Sequence, residues 1–264
     1  MIGFIGAGNM ASAIINGMIS NGLDSNKIFI YDLDREKLFK AEKLNLNICK
    51  NNIDVVKNSK YIFLSVKPNV YDVVLKEISS ALNDDNVIIT MAAGYEIKRV
   101  KQIIGNKKVI RTMPNTPALV GEGFTAVCFD ELISDDEKSE VSTMLKSFGR
   151  FEEINENYMN AYSAVSGSGP AFIFMLMEAM ADAAVLLGIP RAHAYKAVEA
   201  TILGSAKLAL ETDIHPGELK DMVCSPGGTT IEGVRTLEEK GLRSAIIECV
   251  INTYKKNQDI TKIR

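Results

Sequence analysis

Two histidines and four cysteines leave this chain of 264 residues little material for a metal cluster. Cys49, Cys128, Cys224 and Cys249 contain no Cys-x-x-Cys pair. Neither a zinc site nor a disulfide framework is indicated, and four thiols suit a reducing cytosol. With only 7 Pro and 19 Gly, a collagen-like or mucin-like chain is excluded. Basic excess is also missing: 30 Lys and Arg against 33 Asp and Glu give a net charge of −3, without a basic run. A nucleic-acid binder usually carries such an excess. No basic start followed by an apolar region marks a signal peptide. The most membrane-like stretch, residues 171–187, is interrupted by Glu178 and Asp182, which suits a buried helix better than a span. The expectation is a soluble cytoplasmic protein with no metal, no membrane and no nucleic acid.

What is present is ordinary globular composition, 47% hydrophobic and 24% charged, in a length suited to one or two domains. Continuous apolar runs at residues 2–5, 28–31, 61–66, 87–91 and 109–113 have strand length. Such runs fit strands buried on both faces of a parallel sheet. Helical patterns at 10–19, 34–44, 70–82 and 96–104 separate them. Two further strands, at 123–129 and 151–154, flank a helix at 135–148. The alternation predicts an α/β fold, a doubly wound parallel sheet. After about residue 155 only helices are predicted: 170–187, 191–210, 216–223, 231–240 and 243–256. The expected domains are therefore 1–158, dinucleotide-binding, and 159–264, all-helical. Residues 171–177 are apolar on every side of a helix, so a partner subunit is the expected cover.

Gly6-Ala7-Gly8-Asn9-Met10-Ala11 follows the first strand and opens a helix. This is the dinucleotide fingerprint with Ala in third place: Gly6 for the tight turn, Gly8 for close approach to a pyrophosphate, Ala11 for helix–strand packing. About twenty residues on, Asp32 ends the second strand, where a carboxylate can bond both ribose hydroxyls and repel a 2′-phosphate. That favours NADH. Arg35 could instead pair with a 2′-phosphate, and Asp32 could simply cap a helix, a role open to Asp34 as well. In the second half, Ser225-Pro226-Gly227-Gly228-Thr229-Thr230 enters a helix. Backbone N–H groups exposed by glycines, with two hydroxyls, can hold a carboxylate; a capped turn is the plainer alternative. Ser166-Gly167-Ser168-Gly169-Pro170 could be a flexible joint.

In Gly3–Met10, Val66-Lys67-Pro68, Arg111-Thr112-Met113-Pro114-Asn115-Thr116-Pro117, the Ser166–Pro170 run and, most distinctively, His215-Pro216-Gly217, Leu219-Lys220-Asp221 and Cys224–Thr230, the sequence resembles pyrroline-5-carboxylate reductase. These segments occur in the family's order and cover nearly the whole chain. The resemblance implies a Rossmann domain followed by a helical dimerisation domain, in homodimers or rings of dimers. It places dinucleotide contacts at Gly6 to Ala11, Asn52, Ser65, Val66, Lys67, Pro68, Met91, Ala92 and Ala93. Substrate contacts fall at Thr229 and Thr230, within the turn whose backbone from Gly228 on can hold a carboxylate, with Asp213 matching a position where Glu can occur. Asp32 departs from members with Ser or Thr there that favour NADPH.

The implied reaction is hydride transfer from NAD(P)H to the cyclic imine 1-pyrroline-5-carboxylate, giving L-proline. The nicotinamide carries the reactive hydrogen, so no protein nucleophile is needed. Thr230 is the expected catalytic group, hydrogen-bonding the ring nitrogen. Lys67 could approach the substrate or contribute only backbone. His193, His215, Glu178 and Asp182 have structural readings, and Met175, Met177 and Met180 are read as core. A β-hydroxyacid dehydrogenase would require a catalytic Lys on an inter-domain helix, and none can be placed. A non-catalytic dinucleotide sensor would have no evident use for the Gly-Gly-Thr-Thr run.

Overall fold

The computed structural model describes residues 1–263. The chain divides into two compact units, one of residues 1–168 with the described residues from 253 onward, the other Gly169–Asn252.

In the first unit the order is β1 (Ile2–Ile5), α1 (Asn9–Ser20), β2 (Ile28–Tyr31), α2 (Arg35–Glu42), β3 (Asn47–Ile48), α3 (Asn52–Lys57), β4 (Tyr61–Leu64), α4 (Tyr71–Ser79), β5 (Val87–Thr90), α5 (Ile97–Ile104), β6 (Lys108–Met113), β7 (Gly123–Phe129), α6 (Asp135–Lys146), β8 (Gly149–Glu153) and α7 (Met159–Tyr162). The eight strands form one sheet in the order β3-β2-β1-β4-β5-β6-β7-β8. Every pair is parallel except β6 with β7. The apolar strand runs are buried on both faces. Phe4 and Phe63 stack on one side, with ring centroids 4.9 Å apart, while Ile5, Ile62 and Leu64 join the core of the other. Tyr71, Val74, Leu75 and Ile78 repeat at helical spacing and seat α4 on that second face. Ser134 and Glu137 form a reciprocal capping box that starts α6.

The expected parallel sheet is present over β1 to β6, and β7 and β8 run against those strands. The connection from β6 to β7 holds only the short 3-10 turn Thr116–Val120. A parallel return needs a crossover of about a dozen residues or more, usually a helix. Short β3 and α3 were not anticipated.

The first unit also runs past residue 158. Met159 packs with Met113 and Ala126, and Asn115 Nδ2 donates to the Ser166 carbonyl at 3.0 Å. The end of the terminal helix joins it, with Asn257 Nδ2 donating to the Asn160 carbonyl at 3.3 Å.

The second unit contains α8 (Gly169–Leu186), α9 (Arg191–Thr212), α10 (Pro216–Val223), α11 (Thr229–Glu239) and most of α12 (Leu242–Ile263). α8 lies on α9, where the buried apolar residues are Ala181, Ala194 and Val198, with Met177, Ala184, Val185, Tyr195 and Ile202 half-buried against them. Burying a large aliphatic side chain contributes about 1.5–3 kcal/mol, whereas ordering each residue's backbone costs about 1–2 kcal/mol. Such a core is small for a unit of this length. Ile173, Phe174, Met175, Leu176 and Met180 remain exposed along α8. By length and composition alone, Glu156–Leu186 is also apolar enough to cross a membrane.

Candidate active site

The strand order reverses direction at β1, so the crevice of the sheet opens beyond the C-terminal ends of β1 and β4. The glycine turn sits there. Gly6 has φ +99°, and a Cβ on it would lie 2.8 Å from the Ser65 carbonyl. Glycine is required on both counts. Gly8 has an ordinary φ of −76°, and the protein atom nearest to a Cβ there would be 4.0 Å away. Space above the turn is therefore open. α1 begins without a side-chain cap and without an acidic residue in its first turn, which leaves its N–H groups directed at any phosphate placed there.

Beside this turn lies a cavity of about 210 Å³, lined by Met10, Ser65, Val66, Pro68, Met91, Ala92, Ala93 and Pro114. It gathers seven residues that the family resemblance assigned to a dinucleotide, from the start of α1 and two separate loops. Pro114 was not anticipated as a wall. Ser65 Oγ is buried without a hydrogen-bond partner in the structure, so a polar ligand there would satisfy it. Lys67 is exposed and does not line the cavity, nor does Asn52, whose Nδ2 donates to Glu77 Oε2 at 2.8 Å.

Asp32 has a defined task. Ala7 N–H donates to its Oδ2 at 2.7 Å and Asp34 N–H donates to its Oδ1 at 2.8 Å, with Lys37 Nζ 3.5 Å away. Its carboxylate thus braces the glycine turn. The cap of α2 is Asp34, which accepts from Glu36 N–H at 3.0 Å. Arg35 is exposed at the first position of α2.

Two tyrosines that the sequence reading missed hold the cavity loops. Tyr71 is fully buried; its hydroxyl donates to the Leu64 carbonyl at 2.5 Å and accepts from Met91 N–H at 3.3 Å. Burial pushes this phenol up to about 12. The Tyr95 hydroxyl lies 2.9 Å from Asp72 Oδ1 and 3.1 Å from the Pro68 carbonyl. Partial burial raises the Asp72 carboxyl, but hydrogen bonds from Tyr95 and Arg99 outweigh it and hold the group below its ordinary value. Nothing in one sequence signals such hydroxyl-to-backbone pairings.

On the second unit, α11 begins at Thr229 behind Gly228, again with no side-chain cap. Gly227 has φ +66°, and Gly228 N–H closes the turn on the Ser225 carbonyl at 3.0 Å. Thr229 and Thr230 are the exposed first residues of the helix. Asp213 ends α9 in the left-handed region, at φ 55°, and is exposed. Other polar candidates have local partners: His215 Nδ1 accepts from Gly217 N–H at 3.0 Å and caps α10, and Asp182 pairs with Arg191. Among the described residues, no group of three or more His, Cys, Asp and Glu is placed to hold a metal ion.

Comparison with known proteins decides the family. The curated pyrroline-5-carboxylate reductase of Escherichia coli is 44% identical over 99% of this chain and 98% of its own. The chain belongs to the pyrroline-5-carboxylate reductase family. The Synechocystis enzyme of that name is 38% identical over 99% of this chain and 98% of its own. A solved pyrroline-5-carboxylate reductase from Coxiella burnetii superposes with a TM-score of 0.93 at 32% identity, covering 98% of each chain. That of Plasmodium falciparum, solved with NADP bound, gives 0.90 at 29% identity, over 98% of this chain and 97% of that one. Residues 156–260 match the family model described as pyrroline-5-carboxylate reductase dimerisation, and 1–94 match NADP oxidoreductase coenzyme F420-dependent. The chain is thus an NAD(P)H-dependent oxidoreductase acting on a small molecule as a homo-oligomer. The residues matched to the dimerisation model include α8, whose apolar side chains are exposed within one chain.

Proposed function

We propose that the chain reduces 1-pyrroline-5-carboxylate to L-proline, the last step of proline biosynthesis, in the cytoplasm. The observation that carries this reading is the start of α11, where two threonines follow an uncapped Gly-Gly turn in a chain of this family. The N–H groups at Gly228, Thr229 and Thr230 hold the substrate carboxylate, and Asp213 contributes a further contact. The Thr230 hydroxyl hydrogen-bonds the ring nitrogen, fixing the imine carbon for attack. No protein acid is assigned, because the imine can enter already protonated.

Gly6 to Ala11, Asp32, Asn52, Ser65 to Pro68 and Met91 to Ala93 hold the dinucleotide. Bound there, the reduced nicotinamide supplies the hydride. The Asp32 carboxylate favours NADH, since its negative charge opposes a 2′-phosphate. Residues 1–158 serve the dinucleotide, while 159–264 bind substrate and make the dimer, which assembles further into a ring of dimers. Neither nucleic acid nor membrane takes part.

Thr230→Ala tests the assignment. A hydrogen bond to a charged group contributes about 1.5–3 kcal/mol, so kcat/KM for the imine should fall about 10- to 100-fold. Dinucleotide affinity should stay within about twofold, since no cavity residue is changed. Wild-type turnover in this variant would remove Thr230 from the site.

A further inference from the structure

Tyr95 joins two loops of the dinucleotide cavity. It follows the loop that carries Met91, Ala92 and Ala93, and its hydroxyl reaches back to the Pro68 carbonyl at 3.1 Å, in the loop that carries Ser65, Val66 and Pro68. The same hydroxyl shares its one proton between that carbonyl and Asp72 Oδ1, 2.9 Å away, and Arg99 Nη2 donates to Asp72 Oδ2 at 2.8 Å. The Arg99 guanidinium lies 5.2 Å from the centroid of the Tyr95 ring. Beneath it, the Tyr71 ring packs 4.6 Å from that of Tyr95, and the Tyr71 hydroxyl ties the end of β4 to the start of the Met91 loop. Two tyrosines from two helical entries thus cross-link the two loops twice, once near the strand ends and once toward the surface.

We propose that Tyr95 is a positioning residue for the dinucleotide: with Asp72 and Arg99 it fixes the spacing of the 65–68 and 91–93 loops, and so sets cofactor affinity without touching the substrate. The proposal rests on the dinucleotide reading of the cavity. A cavity whose walls are held apart in the free protein binds its ligand without first ordering those walls, and that preorganisation appears as affinity. Tyr95→Phe retains the ring against Tyr71 and Arg99 and removes only the hydroxyl link.

The test is a fluorescence titration of the full-length oligomer with NADH and with NADPH, in wild type and Tyr95→Phe, with no imine present. The variant should bind whichever dinucleotide the wild type prefers about 3- to 10-fold more weakly, the effect of one lost hydrogen bond. In steady state the dinucleotide KM should rise by the same factor, with kcat and the imine KM within about twofold of wild type. Equal affinities in the two proteins would overturn the proposal. So would a loss of kcat in proportion to unfolded protein, the outcome for a merely structural residue. Wild type that binds dinucleotide but turns over no imine would refute the proposed reaction and leave the positioning role standing.

Discussion

The two glycines of the first turn should respond differently to the same added methyl group. At Gly6 the backbone has φ +99°, and an alanine Cβ would meet the Ser65 carbonyl carbon and oxygen at 2.8 Å. Disfavoured backbone costs about 1–3 kcal/mol and overpacking about 1–3 kcal/mol. Gly6→Ala should therefore destabilise the protein by about 2–6 kcal/mol, lowering the melting temperature by roughly 5–20 °C at equal protein concentration. At Gly8 the φ is −76° and the nearest protein atom would lie 4.0 Å away. Gly8→Ala should leave stability unchanged or raise it by up to about 1 kcal/mol, because alanine restricts the unfolded chain. Its methyl group would instead occupy the space kept for a pyrophosphate, and dinucleotide affinity should fall at least about tenfold, or ~1.4 kcal/mol. Thermal melts and NAD(P)H titrations of both variants are the assay. If Gly8→Ala binds like the wild type, the turn does not hold a pyrophosphate. If Gly6→Ala melts like the wild type, the reasoning from its backbone angle and the Ser65 contact is wrong.

Asp32→Ser should shift the ratio of kcat/KM values towards NADPH, by about tenfold for a loss of ~1.4 kcal/mol of repulsion, and should loosen the turn that Asp32 braces through Ala7 N–H. Parallel kinetics with both dinucleotides measure it, and an unchanged ratio would remove Asp32 from cofactor choice. Phe174→Asp places a charge on a residue that is 58% exposed within one chain, on the apolar face of α8. Sedimentation velocity should show the oligomer lost. Wild-type mass would mean that this face is not the interface.

The parts of the fold legible in the sequence are those with a long one-dimensional signature. The runs at β1, β2, β5 and β7 are continuously or alternately apolar, and the Gly6–Ala11 turn between β1 and α1 carries its own spacing. β3, with two residues, and α3, with six, are too short to show a period. The reversal of β7 turned on a different signal, the lack of helix-length chain between Met113 and Gly123. At the candidate site, the loops that carry Ser65 to Pro68 and Met91 to Ala93 were placed through family resemblance, and the structure brings most of those residues around one cavity. Pro114 was in view within its motif but had no assigned position. The pairing of Tyr71 with Leu64 and Met91, and of Tyr95 with Pro68, depends on hydroxyls meeting backbone groups across the sheet's end, which no local pattern encodes. Asp32 shows the converse: its position was legible, while its bond to Ala7 came only with the three-dimensional turn.

Reduction of a cyclic imino acid by this chain is open to direct measurement. The direct measurement is oxidation of NADH and NADPH, in parallel, by the purified protein with 1-pyrroline-5-carboxylate, with the product identified. Oxidation should depend on the imine and yield L-proline, faster with NADH. Dinucleotide binding without imine-dependent turnover by either cofactor would contradict that reduction, and the Gly228–Thr230 site would then belong to a different ligand.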